Sequence, residues 1–254
     1  MRMLTFICAL CAAITAFAET TAPRRMRPRR MAKASGGIVE KAYKGKVIRV
    51  VNTLANEQGQ FDEIALKIRR SAQLPIEAVR GDLPKDDASP MTYARKLAKA
   101  DGNVGSTVLI IDDVSLPIIL ASPDEKWAIL NVATMKSDSE KYAARLSKAL
   151  WGAISRALGA GSTGDAGCVL VPFSDLRTLD AIAATEPSPI AHNALIDVAK
   201  MSGVNMIYFA TYRTACQQGW APQPATDVQR KIWNEIHAIP DKPITIEFDP
   251  KKDK

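Results

Sequence analysis

Histidine is almost absent from this chain: His192 and His237 are the only two in 254 residues. Neither has a second His or a Cys three, four or five residues away, so no paired-histidine zinc helix is present. Both fall in or at the ends of expected helices, where a structural role is the ordinary one. No apolar run after Phe17 is long enough to cross a bilayer. There is no internal repeat. The Gly-rich stretch 159–167 lacks the lysine of a phosphate-binding loop. Ser162 lacks a nucleophile elbow, because Gly159 and Gly164 stand at the wrong offsets. Asp112-Asp113 has no Asp-Thr-Gly context, which leaves an acid protease unsupported. Nothing resembles a nucleic-acid reading motif.

Cysteine is also scarce. Cys8 and Cys11 lie in the N-terminal apolar segment, without the residues that a lipoprotein signal places before its cysteine. Cys168 and Cys216 remain. They form either one disulfide or two buried thiols, and the spacing does not choose. No local signature makes Cys168 a nucleophile.

What is present begins with a targeting pattern. Arg2 precedes an apolar stretch from Leu4 to Phe17, and Ala16-Phe17-Ala18 is a small-x-small cleavage site. Residues 1–18 are expected to be a signal peptide and the rest an exported protein, periplasmic or secreted. Charge is uneven. Residues 24–46 hold nine Lys/Arg and one acid, Glu40, whereas residues 47–254 hold 24 Lys/Arg and 25 Asp/Glu. The basic balance therefore belongs to a tail. Residues 19–45 read as an Arg/Pro-rich disordered linker. Arg24, Arg25, Arg27, Arg29 and Arg30 would draw it to an anionic envelope component, or it is a solvated linker without a specific partner.

The body alternates strands and helices. Expected strands are 45–53, 75–80 and 106–112, with helices over 61–73 and 91–100 between them. Residues 118–121 and 127–133 flank a Pro/Asp turn and read as a hairpin. A long helix starts near Ser137, with Glu140 completing a capping box, and ends at Gly159. Its apolar stripe runs through Tyr142, Leu146, Ala149, Leu150, Ala153, Ile154 and Ala157. Further on come a helix over 190–201, a strand over 205–212, a helix over 227–239 and an edge strand over 243–248. The fold class is α+β: a twisted mixed sheet with a long central helix, and an α/β C-terminal extension.

Residues 152–170 carry a resemblance. The spacing from Gly152 through Gly159 to Cys168-Val169 resembles the archaemetzincin pattern H-E-x-x-H-x-x-G-x-x-H-C, four residues, then C-V-M. Asp113-Val114-Ser115-Leu116 is similar to that family's D-V-D-L. Phe173-Ser174 with Leu176, Leu179 and Asp180 is similar to its F-S-x-S-[LV]-x-x-[VL]-D run, shifted one place by Pro172. The likeness covers roughly residues 46–185, and it implies a metzincin-like domain there followed by an extension, 186–254, packed on it.

In that family the helical histidines and the third His hold one zinc, and the Glu activates its water. Here the first His position is Gly152, the Glu position Ala153, the second His position Arg156 and the third Ser162. Thr163 replaces the adjoining Cys, and Cys168 alone survives of the cysteines that serve the family's second zinc site. The resemblance thus implies a metallopeptidase-like scaffold without its catalytic set. No catalytic residue, metal or cofactor is expected.

Arg156 has two readings: a cation that replaces the metal charge and pairs with Asp112, Asp113 or Asp180, or a solvent-exposed helix residue. Trp220, in Gly219-Trp220-Ala221-Pro222, is either a stacking platform for a ligand or a lid on the core. The leading function is a non-catalytic exported protein that binds a peptide or an envelope component. The alternative is a hydrolase with a repurposed site.

Overall fold

The structure is a computed structural model and describes residues 36–54, 57–83 and 89–238. The expected signal peptide, the arginines of 24–30 and the expected edge strand of 243–248 lie outside the described residues.

The strands are β1 (Ile38–Glu40), β2 (Val47–Asn52), β3 (Ile76–Arg80), β4 (Val104–Ile111), β5 (Ile119–Ser122), β6 (Trp127–Asn131) and β7 (Phe209–Thr211). The helices are α1 (Gln58–Ala72), α2 (Pro90–Ala100), α3 (Ser139–Leu158), α4 (Leu176–Ala181), α5 (Pro189–Met201), α6 (Tyr212–Gln217) and α7 (Asp227–His237). Five strands make one sheet in the order β3-β2-β4-β6-β5, and β1 with β7 make a second sheet of two. Pairing is parallel from β3 to β6, with Val50 opposite Val108 and Val108 opposite Ala128. It turns antiparallel at the last step, where Ile119 faces Leu130. The fold is α+β with a mixed sheet, as the alternation of motifs implied.

Every residue of β4 is buried. A central parallel strand is covered on both faces, so it reads as one apolar run rather than an alternation. One face of the sheet (Ile48, Val50, Val108, Ile110, Leu130) packs with Phe61, Ile64 and Ile68 of α1 and Leu146, Leu150 and Ile154 of α3. The other face (Val51, Leu109, Ile111, Ile129) packs with Ala94 of α2. Each Leu or Ile so buried contributes about 1.5–3 kcal/mol.

Helix α3 is the scaffold of the candidate site. Its start differs from the expected Ser137 capping box. Ser137 belongs to a 3-10 turn, Met135–Ser137, and donates to the Thr134 carbonyl at 3.0 Å. Asp138, the next residue, is the cap and accepts from the backbone N–H of Glu140 and Lys141 at 3.1 and 3.3 Å. A carboxylate one residue closer to the helix supersedes a hydroxyl already spent on the turn. Gly159 ends the helix as expected, with φ +92 and its N–H on the Ser155 and Arg156 carbonyls.

Two further expectations need correction. The final residues of the expected linker are ordered: β1 lies at 38–40, Glu40 pairs with Arg69, and Tyr43 Oη donates to the Lys46 carbonyl at 2.9 Å. The strand expected over 205–212 is only Phe209–Thr211. There the Thr211 side chain accepts from the Thr214 N–H at 3.2 Å and starts the short helix α6.

Residues 40–210 form one compact unit, and 36–39 with 211–238 form another. The first runs past the expected boundary at 185, because Leu195, Ile196 and Ala199 of α5 enter its core. The second is built around Tyr212, Cys216 and Ile232, with Trp233 and Ile236 against them. Among the described residues no helix is long and apolar enough to cross a membrane.

Candidate functional site

Three of the four positions singled out by the resemblance meet in space. Gly152 and Arg156 lie one turn apart on α3, and the chain doubles back after Gly159 to bring Ser162 beside them. Together with Ser155, Ala160, Leu170, Val171 and Phe173 they line a pocket of about 250 Å³. The return is fixed by backbone bonds: Ala160 N–H to the Ser155 carbonyl at 2.9 Å and Thr163 N–H to the Leu170 carbonyl at 3.3 Å. Cys168, fully buried, anchors the loop. Its sulfur accepts from the N–H groups of Leu170 and Ser188 at 3.4 and 3.3 Å. Ala153, which the resemblance sets against the general base, is buried in the core and does not line the pocket.

Gly152 is filled from outside. A Cβ there would lie 3.2 Å from Ile119 Cδ1 and 3.2 Å from Phe173 Cε1. The missing side chain is what lets β5 and the Phe173 ring close on the helix.

Arg156 is not exposed, and among the described residues it has no ion-pair partner. It is half-buried, its Nη2 donates to the Phe173 carbonyl at 3.4 Å, and its guanidinium carbon sits 5.5 Å from the centre of the Phe173 ring. Burial pulls its pKa below the ordinary guanidinium value, though it stays cationic. The three carboxylates proposed for it are engaged elsewhere. Asp180 is bound to Arg145 at 2.6 and 2.8 Å. Asp112 pairs with Lys136 at 2.7 Å. Asp113 accepts from the Ser115 hydroxyl and N–H at 2.7 and 2.9 Å, bonds that hold its pKa below the usual carboxylate range. Asp113 is thus a turn residue. Asp112 belongs to a polar cluster in which Lys136 also reaches Glu57 at 3.0 Å and Tyr142 donates to Glu57.

The remaining candidates have structural surroundings. His192 is 3.1 Å from the Ala72 carbonyl, and His237 stacks on Trp233 at 4.1 Å. Trp220 is half-buried and its indole N–H donates to Gln218 at 2.8 Å. Cys168 and Cys216 are free, buried thiols rather than a disulfide.

The donors that line the pocket do not fit a zinc site. The lining offers one free hydroxyl, Ser162, a second that Ser155 already gives to the Ala160 carbonyl at 3.4 Å, and a fixed cation. It has no imidazole, thiolate or carboxylate. Among the described residues no three His, Cys, Asp or Glu side chains are grouped to hold a metal.

Two features had no place in the sequence reading. The Arg145–Asp180 pair is signalled by an arginine inside the apolar stripe of α3, one residue before Leu146. A larger groove of about 820 Å³ runs between α1 and α3, lined by Glu63, Lys67, Arg70, Lys148 and Glu186 among others. No candidate site residue lines it.

The mixed sheet, with its antiparallel edge strand beside a long helix that ends in a sharp return, is a metallopeptidase-like fold. More narrowly it is archaemetzincin-like. The chain superposes on an archaemetzincin from Methanopyrus kandleri with a TM-score of 0.50 at 16% identity, over 61% of this chain and 96% of that one. A zinc-dependent peptidase from Methanocorpusculum labreanum is similar at a TM-score of 0.47 and 14% identity, over 58% of this chain and 99% of that one. An archaemetzincin from Archaeoglobus fulgidus, complexed with malonate, gives 0.45 and 13%, over 58% and 98%. No family profile and no curated protein matches the chain.

Proposed function

We propose that this chain is an exported, non-catalytic binding protein built on an archaemetzincin-like fold, with the former zinc cleft as its binding site. The observation that carries this reading is the convergence of Gly152, Arg156 and Ser162 on one pocket whose lining contains no zinc-binding group. A scaffold that lost its fold would scatter these positions. One that kept zinc hydrolysis would need donors there.

The ligand is an extended peptide. β5 ends the sheet, so its outer edge is open to backbone pairing among the described residues, and strand addition needs main-chain groups rather than a metal. That edge adjoins the pocket through Ile119, which touches α3 at Gly152. The arginines of 24–30 add a second, sequence-independent attraction to anionic envelope material.

Elemental analysis of the purified protein, before and after zinc exposure, tests the reading. Less than about a tenth of an equivalent of zinc in both samples is the expected result. Stoichiometric zinc with chelator-sensitive turnover of a peptide library would replace it with a peptidase. Fractionation of the expressing cells tests export, and finding the intact chain in the cytoplasm would remove that part.

A further inference from the structure

Arg156 is half-buried, and among the described residues no carboxylate pairs with it. In the unit formed by residues 40–210, four other arginines have carboxylates at hand: Arg49 with Glu77 and Asp101, Arg69 with Glu40, Arg95 with Glu125, and Arg145 with Asp180; Arg70, Arg80 and Arg177 show no such pair among the described residues, but they are exposed to water. A guanidinium carries five N–H donors. Among the described residues Arg156 uses one, on the Phe173 carbonyl.

The walls around it add no negative charge. Leu170, Val171, Ala160 and Phe173 are apolar, and Ser162 supplies a hydroxyl at the rim. The Phe173 ring and carbonyl hold the guanidinium in place. A planar cation, partly desolvated, prefixed and short of acceptors is the arrangement that binds a carboxylate by paired N–H bonds. A position in the last turn of α3 favours a cation through the helix dipole, but that effect is weak and leaves the donors unused.

We infer that the pocket binds a carboxylate, with Arg156 as its partner, Ser162 as an auxiliary donor and the apolar walls receiving the group that carries it. The inference rests on the binding-protein reading above and names the chemistry of its ligand. At about 250 Å³, the pocket accepts the end of a chain or one side chain, not a large anion. The carboxylate is therefore a peptide C-terminus or an Asp/Glu side chain, and the test separates these.

Amide resonances of the purified full chain would be followed by NMR during titration with four probes: sodium acetate, N-acetyl-trialanine, its C-terminal amide, and N-acetyl-Ala-Glu-Ala amide. The expected result is saturable shifts at Gly152, Gly161 and Ser162 with acetate, and with one of the two carboxylate-bearing peptides but not with trialanine amide. Preference for the free-acid trialanine assigns the C-terminus, and preference for the glutamyl peptide assigns a side chain. Arg156→Gln should weaken binding by about tenfold or more, and Arg156→Lys by less. If Arg156→Gln loses its dispersed spectrum, Ser162→Phe, a change at an exposed rim position, should block the pocket in a folded protein. Undiminished binding in Arg156→Gln or in Ser162→Phe, shifts confined to other surfaces, or no saturable response to any probe would overturn the inference. Stoichiometric zinc in the same preparation would instead overturn the binding-protein reading, and the two failures are read separately.

Discussion

Arg145 grips Asp180 with two parallel hydrogen bonds, Nε to Oδ1 at 2.8 Å and Nη2 to Oδ2 at 2.6 Å. This pair ties α3 to α4, and a third bond, from Arg145 Nη1 to the Met135 carbonyl at 3.2 Å, ties it to the turn before α3. Only 7% of the arginine side chain is exposed and 30% of the aspartate. The bond to Arg145 holds Asp180 below the usual carboxylate range.

Breaking the pair from one side should therefore cost more than removing both groups. Asp180→Asn or Arg145→Met is expected to lose about 2–4 kcal/mol in urea unfolding, and the double variant less than the sum. The folded-state pKa of Asp180 lies below its unfolded value, so this stabilisation is present above about pH 4 and is lost as pH falls through the folded value. Asp180→Asn should have a flatter stability curve in that acid range. Parallel curves for variant and wild type would show that the pair contributes nothing.

Placing a histidine at Gly152 should damage packing rather than build a metal site. Its Cβ would press on Ile119 and Phe173, so Gly152→His is expected to cost about 1–3 kcal/mol. Combining it with Phe173→Ala should recover part of that loss beyond additivity, read by thermal unfolding. Strict additivity would mean that the ring does not occupy the histidine's space.

Tyr142 donates to Glu57 from a buried position, and burial first, then Glu57, raises its pKa. The folded state thus favours the neutral phenol, and the stabilisation is lost as pH rises above about 10, the unfolded value. Tyr142→Phe should cost about 1 kcal/mol at neutral pH and weaken the alkaline decline. Ultraviolet titration would report whether one tyrosine ionises only on unfolding.

Cys168 and Cys216 are buried and free, and burial raises the Cys216 thiol above its ordinary pKa. Both should resist a water-soluble thiol reagent in the native protein and react fully in denaturant. Mass spectrometry of the alkylated peptides would locate each one. A disulfide-linked peptide pair would contradict the structure.

Much of the first unit could be read directly from the chain. β4 is legible because an unbroken apolar run means burial on both faces, and α3 because its stripe and Gly159 mark its face and end. The pocket is legible only through the resemblance carried by 152–170, which sets positions 152, 156 and 162 at one cleft; the helical turn and the return loop bring them together. Side-chain partnerships were not legible. The sequence does not say that Asp112 and Asp180 are held toward the Tyr142–Arg145 end of α3, three turns or more from Arg156, by Lys136 and Arg145, nor that Ser115 engages Asp113. The short helices α4 and α6 were missed because six residues each carry too little periodicity. Both are started by caps, Asp175 and Thr211, that read equally well as loop residues.

The strand order also sets a timetable. β5 and β6 make a hairpin, which closes in about 1–10 μs, and β4 pairs in parallel with β6 across β5 alone, Thr107 opposite Trp127. β4 gains its other neighbour, β2, only across the intervening α1, β3 and α2, a non-local parallel pairing of the kind that forms slowly. The most apolar strand of the protein thus has one side closed early and the other closed late. Between those events a refolding molecule presents a bare, uncharged ribbon edge to its neighbours, and self-association competes with completion of the sheet. Pulse-labelled hydrogen exchange would register this as β6 amides protected ahead of those of β2.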